Sequence, residues 1–247
     1  RFWWNQHVSP VGRTRTAPHP HSTQAVRLGV VSCAHYEAGY FYAYGALASE
    51  ENLNAVVHLG DYIYEYGRWD APWKVLDRLH EPAHEIVALT DYRTRYAQYR
   101  RDPHLQALHA AHPMIAIWDD HDFGPDDSDR GFYNKYTTQQ AFKDFWANKF
   151  YGMDSNQKEG VFSSYNWSDA EVFLLDNRFF KSPNKRLTGD KIMLGKTQIQ
   201  WLIDALVSSK ASFKIIVIGG QVLNTEAVFE NYENYKTEKE ILLKEGI

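Results

Sequence analysis

Short apolar runs alternate with longer stretches of helical spacing over most of this chain. Residues 28–31 form a first apolar run, 40–51 carry apolar side chains at helical intervals, and 55–59 form a second run that stops at Gly60. Strand, helix, strand and loop in that order predict a βαβ unit, two parallel strands joined by a covering helix. The alternation continues with helical spacing at 91–99 and again after Asp102-Pro103, then a strand at 114–118 and a polar loop to residue 130. An aromatic-rich helix at 138–150, strands at 161–167 and 171–176, a helix over 196–208 and a buried strand at 214–218 follow. The pattern predicts an α/β fold with no internal repeat. Residues 7–24 differ: three prolines and many small polar residues with little periodicity read as a linker.

Composition sharpens this picture. A chain of 247 residues with 44% hydrophobic residues, 15 Gly and 9 Pro is neither disordered nor collagenous. Its length suits one large α/β domain or two small ones with a well-buried core. With 27 Lys and Arg against 31 Asp and Glu, it lacks the basic excess of a nucleic-acid binder. Apolar runs such as 215–218 are far short of the roughly 18 residues that cross a bilayer. One cysteine, Cys33, cannot form an internal disulfide, so the compartment is not legible from cysteine use. The abrupt start at Arg1-Phe2-Trp3-Trp4 and the end at Gly246-Ile247 suggest a fragment or processed product. Residues 1–113 hold ten Arg and one Lys, and 114–247 hold three Arg and thirteen Lys, which suggests two parents joined near Pro113.

The chemistry lies where the apolar runs end. In open α/β sheets, functional groups gather at the carboxyl ends of strands. The first run ends at Ser32-Cys33, the second at Gly60-Asp61-Tyr62-Ile63-Tyr64, and the third at Trp118-Asp119-Asp120-His121-Asp122. A thiol, phenols, several carboxylates and an imidazole at one edge outline a metal site, since clustered acids resist joint ionisation without cations. The mixture of soft thiolate and hard oxygen ligands argues against a purely structural zinc and leaves ferric iron plus a hard divalent ion open. Taken singly, the residues also have structural readings. Cys33 alone reads as a small buried hydrophobe, Asp61 as a turn former or cap, and Tyr64 and Tyr66 as core aromatics. The acids after Trp118 resist such a reading, because consecutive ionisable residues after a buried strand need a cation or good hydrogen bonds. His58 reads as a satisfied core group or one that supports the ligands from behind. His19, His21, His80, His84, His104, His109 and His112 read as scattered surface residues.

These residues together resemble the PhoD-like alkaline phosphatases, a branch of the metallophosphoesterase superfamily. The resemblance is carried by Ser32-Cys33, by Gly60-Asp61-Tyr62-Ile63-Tyr64-Glu65-Tyr66 and by Trp118-Asp119-Asp120-His121-Asp122. Leu174-Leu175-Asp176-Asn177-Arg178 and Gly219-Gly220-Gln221-Val222-Leu223-Asn224 also agree. The stretch from Ser9 to Pro18 is similar to the join between that family's small N-terminal β domain and its catalytic domain. The resemblance implies an αββα sandwich, incomplete at the C-terminus. Residues 1–6 would be a remnant of the β domain, 7–26 the linker and 27–247 a partial catalytic domain. It implies an exported hydrolase of phosphate mono- or diesters, of small-molecule or phospholipid type, with Fe3+ and Ca2+ or another divalent ion. Cys33, Asp61 and Tyr64 would hold the ferric ion, Asp61 would be shared with calcium, and Asp120 would help hold the second ion. His121, assisted by Asp120, would stabilise the transferring phosphoryl group or protonate the leaving oxygen. An ion-held hydroxide would be the nucleophile. Arg178 would be a phosphate-facing cation or, preferably, an ion-pair partner of Asp176.

Departures from the family pattern frame a second reading. After the third motif the chain continues Asp122-Phe123-Gly124-Pro125-Asp126-Asp127 where many members have Glu and Asn residues, so Asp126 or Asp127 would take over a calcium contact. No later Gly-Asp-x-His element is present, and His121 is the last histidine. These absences predict weak metal affinity, low activity and a sheet edge prone to pairing. The alternative is therefore a truncated or chimeric, non-catalytic remnant that keeps the fold and partial metal binding.

Overall fold

Strands β1 (Trp3–Trp4) and β2 (His7–Val8) form an antiparallel hairpin ahead of the main body. Strands β3 (Leu28–Val31), β4 (Ala55–His58) and β5 (Met114–Ala116) run parallel in that order. Val31 lies opposite His58, and His58 opposite Ala116, so the carboxyl ends of all three strands reach one edge. In a second sheet, β7 (Ala170–Leu174) pairs antiparallel with β6 (Ser163–Trp167) and parallel with β8 (Phe213–Val217). The helices are α1 (Tyr42–Ala48), α2 (Leu89–Tyr99), α3 (Pro103–Ala111), α4 (Asp120–Phe123), α5 (Lys135–Phe145), α6 (Lys196–Ser208) and α7 (Lys236–Glu245). The structure is a computed structural model and describes residues 1–19, 22, 24–70, 78–148, 150–152 and 159–245. Within these residues no helix is long and apolar enough to cross a membrane.

The period-two rule explains how the second sheet joins two cores. Alternate side chains of a strand point to opposite faces. Val172 and Leu174 of β7, with Val217 of β8, pack into a core shared with Val56 and Val57 of the first sheet. Phe173 points the other way, into a second core with Leu202 of α6, Tyr235 and Leu242 of α7. Every residue of β7 is buried, Glu171 included, as expected for a strand covered on both faces.

Local signals set most boundaries. Asp102 caps α3 by accepting from His104 N–H at 2.9 Å and Leu105 N–H at 3.1 Å, with Pro103 at the first helical position. Helix α6 has the expected bounds. The loop expected up to residue 130 instead contains the single turn α4, and α5 starts three residues earlier than its aromatic spacing suggests. Helix α7, with its charged KTEKEILLKE sequence, was not expected. It is anchored by Glu238, whose carboxylate accepts from the N–H groups of Met193, Leu194 and Gly195.

The histidines need correction. His80 is fully buried, its Nδ1 on the Tyr66 carbonyl at 3.0 Å and its Nε2 at 3.2 Å from Tyr99 Oη, and His112 is buried as well. Ring contacts with Tyr36, His35 and Tyr99 and these hydrogen bonds hold His80, a placement that spacing does not reveal. His104 and His109 are half-buried, His19 and His84 are exposed, and His21 lies outside the described residues.

His58 is a core group as expected, and it makes the fold acid-labile. Its Nδ1 accepts from Gly60 N–H at 3.2 Å, which places the ring proton on Nε2, 2.9 Å from Tyr44 Oη. Burial lowers its pKa from 6.5 to about 3. The folded state therefore keeps His58 neutral while the unfolded chain takes up a proton near 6.5. Stability from this group is full above pH 6.5 and is lost as pH falls toward 3. Urea unfolding at pH 7 and pH 4.5 is expected to show roughly 2–3 kcal/mol of lost stability attributable to His58. His58→Gln should remove that increment, and an unchanged pH dependence would count against it.

Candidate metal centre

Parallel pairing continues past the strand ends and draws two turns together. Leu59 N–H donates to the Val31 carbonyl at 2.9 Å, Cys33 N–H to Gly60 at 3.2 Å, and Ala34 N–H to Asp61 at 3.2 Å. Gly60 has φ of +110°, and a Cβ there would stand 2.5 Å from the Asp119 nitrogen, so only glycine fits. Cys33 and Asp61 themselves adopt left-handed conformations, with φ of 58° and 53°. Non-glycine residues in this region carry strain of order 1 kcal/mol and cluster at functional sites.

The third turn is fixed by Asp122. Its Oδ1 accepts from Tyr62 N–H at 3.0 Å and Ile63 N–H at 3.1 Å, while its Oδ2 accepts from Asp119 N–H at 3.1 Å. One buried carboxylate thus staples the Asp61 turn to the start of α4. That turn of helix presents Asp120 and His121, and ligand atoms of Asp61, Asp120 and His121 all lie within 4.8 Å of one another. Cys33 Sγ lies 3.5 Å from Asp61 Oδ2. The Tyr64 ring is buried, with its centroid 4.2 Å from that of His121. The five residues singled out by sequence are therefore neighbours at one sheet edge.

The electrostatics fit a cation. Asp61 Oδ1 is buried with no hydrogen-bond partner among the described residues. Burial, then the Asp119 and Asp120 carboxylates, drive the Asp61 pKa well above the usual range. Desolvation around the sulfur and the charge of Asp61 push the Cys33 thiol up to about 12, although the residue as a whole stands at the surface. Burial, Asp61 and Cys33 raise the Tyr64 phenol in the same way. Positive charge placed among them would reverse all three shifts.

Sequence reading missed the groups that orient the site. Glu65, buried, accepts from Asp126 N–H at 2.9 Å through Oε1 and lies 2.8 Å from His121 Nδ1 through Oε2. Burial opposes charge on His121, but the Glu65 hydrogen bond and the Asp120 carboxylate raise its pKa to about 10. Glu65 sits in the second motif one residue after Tyr64, and that adjacency was the available signal. Arg178 departs from expectation. Its guanidinium does not pair with the Asp176 carboxylate but contacts Asp119 Oδ1 at 2.6 Å, Asp120 Oδ1 at 3.5 Å and Glu230 Oε2 at 2.7 Å. Only its backbone N–H reaches Asp176. Asp176 instead accepts from Trp118 Nε1 at 2.7 Å and from three backbone N–H groups. Of the two acids considered for a calcium contact, Asp127 approaches Asp120 and Glu230, with ligand atoms within 4.8 Å, while Asp126 Oδ1 lies 3.8 Å from His121 Nε2.

Comparison with known proteins bears on what this edge is. Residues 28–241 match the family model described as PhoD-like phosphatase. The chain belongs to the PhoD-like phosphatase family. Within that family it is 32% identical to alkaline phosphatase D of Bacillus subtilis (strain 168) over 245 residues, covering 87% of this chain and 41% of that protein. The solved structure of PhoD superposes with a TM-score of 0.83 at 29% identity, covering 96% of this chain and 51% of that one. A purple acid phosphatase from yellow lupin (Lupinus luteus) seeds superposes with a TM-score of 0.50 at 13% identity, over 84% of this chain and 32% of that one, a likeness of fold alone. The fold is thus of the metallophosphoesterase type. The chain spans about half the length of these PhoD relatives or less.

Proposed function

We propose that this PhoD-like chain carries the ion-holding part of a phosphoesterase site that hydrolyses phosphate mono- or diesters. The observation that carries the reading is the convergence of Asp61, Asp120 and His121 around a buried Asp61 oxygen that has no partner. Cys33, Asp61 and Tyr64 would hold a ferric ion, a soft thiolate joined to hard phenolate and carboxylate oxygens. Asp61 and Asp120 would hold a calcium ion. When bound, such ions supply an activated water and positive charge for the phosphoryl oxygens.

The remaining work belongs to the chain's own groups. Glu65 fixes the His121 ring through Nδ1 and leaves Nε2 to face the substrate. His121 holds a proton at Nε2 and delivers it to the leaving oxygen, while its positive charge favours the transferring phosphoryl group. Arg178, held between Asp119, Asp120 and Glu230, keeps the Asp120 carboxylate ionised and in place. Export from the cytoplasm completes this reading and rests on family likeness.

Elemental analysis of the purified chain, paired with hydrolysis of bis(4-nitrophenyl) phosphate at alkaline pH, tests it. Chelation is expected to lower nitrophenol release by about 100-fold or more, with recovery on adding iron and calcium together. Hydrolysis that survives complete removal of both ions would overturn the proposal.

A further inference from the structure

A cavity of about 590 Å³ opens beside the metal centre, between the loop after β3 and helix α1. That volume lies within the range of small-molecule pockets. Cys33 and Tyr64 line it and also belong to the centre, so the two spaces share a wall. The rest of the lining is mostly apolar: Ala34, Ala38 and Ala43 leave room, the exposed Tyr40 supplies an aromatic ring, and Ser32 and His35 add polar groups.

Two further polar groups of the wall are turned to other work. Tyr44 Oη lies 2.9 Å from His58 Nε2, and the Gly39 carbonyl accepts from Arg78 Nη1 at 3.2 Å. Arg78 also braces the wall. Its guanidinium carbon stands 3.9 Å from the centre of the Tyr36 ring, 4.9 Å from Phe41 and 5.1 Å from Tyr40, and it pairs with Asp102 at 3.0 Å. The cavity therefore offers mostly apolar surface, with few polar groups.

We propose that this cavity is the subsite for the organic group of the ester, and that it selects flat aromatic groups over small alkyl or sugar groups. The inference rests on the phosphoesterase reading above, because a phosphorus atom at the centre would direct one ester substituent across the wall formed by Cys33 and Tyr64. A sugar would leave most of its hydroxyls unpaired there, whereas an aryl ring exchanges water for the alanine methyls and the exposed Tyr40 ring.

The test uses the chain labelled with 13C at alanine methyl groups and 2-naphthol, a probe without phosphorus. The probe is expected to shift the methyls of Ala34, Ala38 and Ala43 and to leave that of Ala170 in place. Ala43 is exposed on α1, so Ala43→Trp fills the cavity from outside the core, and Ala38→Leu fills it from the loop. Each is expected to weaken 2-naphthol binding by about tenfold or more. In the metal-loaded chain, Ala43→Trp should also lower the kcat/KM ratio of 2-naphthyl phosphate to methyl phosphate by about tenfold, with methyl phosphate turnover unchanged. Absence of shifts at these alanines, or a turnover ratio equal in wild type and variant, overturns the subsite. Alanine shifts with hydrolysis of neither ester would support the aromatic preference of the cavity and overturn the phosphoesterase reading instead.

Discussion

Asp176→Ala is expected to destabilise the chain by roughly 3–5 kcal/mol, the cost of stripping a buried hydrogen-bonded carboxylate from its partners. The side chain is fully buried, and its two oxygens serve Trp118 Nε1 and the backbone N–H groups of Val161, Arg178 and Phe179. Trp118 follows β5 of the first sheet and Asp176 follows β7 of the second, so this one carboxylate joins the ends of both sheets. Removing it leaves four donors in an apolar interior with nothing to accept them. For a domain of this length the melting temperature should fall by about 10 °C. Asp176→Asn keeps one acceptor oxygen and sheds a buried charge, so it should fall between the two. Thermal unfolding of the three proteins in chelator decides the matter, and a loss under about 1 kcal/mol for Asp176→Ala would remove Asp176 from the centre of the fold.

Asp61→Asn is expected to act in the opposite sense on stability and to abolish ion binding. Asn tolerates the left-handed backbone that position 61 requires, so the turn survives. Without ions, the substitution removes a buried carboxyl that the Asp119 and Asp120 carboxylates repel. The chelated variant should therefore melt at or above the temperature of the chelated parent. Affinity for iron and calcium should drop by about 100-fold or more, along with any phosphate-ester hydrolysis, because the variant loses the one carboxylate shared by both proposed ion positions. Retention of both ions at parental stoichiometry would displace Asp61 from its assigned role.

Much of this arrangement was legible in the chain. Strand ends could be placed because apolar runs stop at Cys33, Gly60 and Trp118, and parallel strands in register must bring those ends to one edge. The identity of the neighbours inside that edge was not legible. Asp122 looked like one more acid after Trp118, yet its carboxylate is used entirely on backbone N–H groups. Glu65 had no role beyond its place in the second motif, yet it orients His121. Arg178 was expected beside Asp176 because the two are close in sequence. The turn that begins at Asp176 instead sends the guanidinium across to Asp119 and Glu230, contacts 59 and 52 residues away. Helix α7 was hidden for a related reason: its anchor is a carboxylate, Glu238, rather than an apolar stripe.

The Asp122 staple has a consequence for how the centre comes into being. In small zinc domains, ligands converge only as the ion arrives, and binding energy is folding energy. Here the turns bearing Cys33, Asp61 and Asp120 are laced by hydrogen bonds between main-chain groups and to the Asp122 carboxylate. Such lacing predicts a cage built ahead of its contents. Loading and emptying should leave its circular dichroism spectrum unchanged, and discrimination among metals then falls to the size and charge of the finished cage rather than to a coupled folding step.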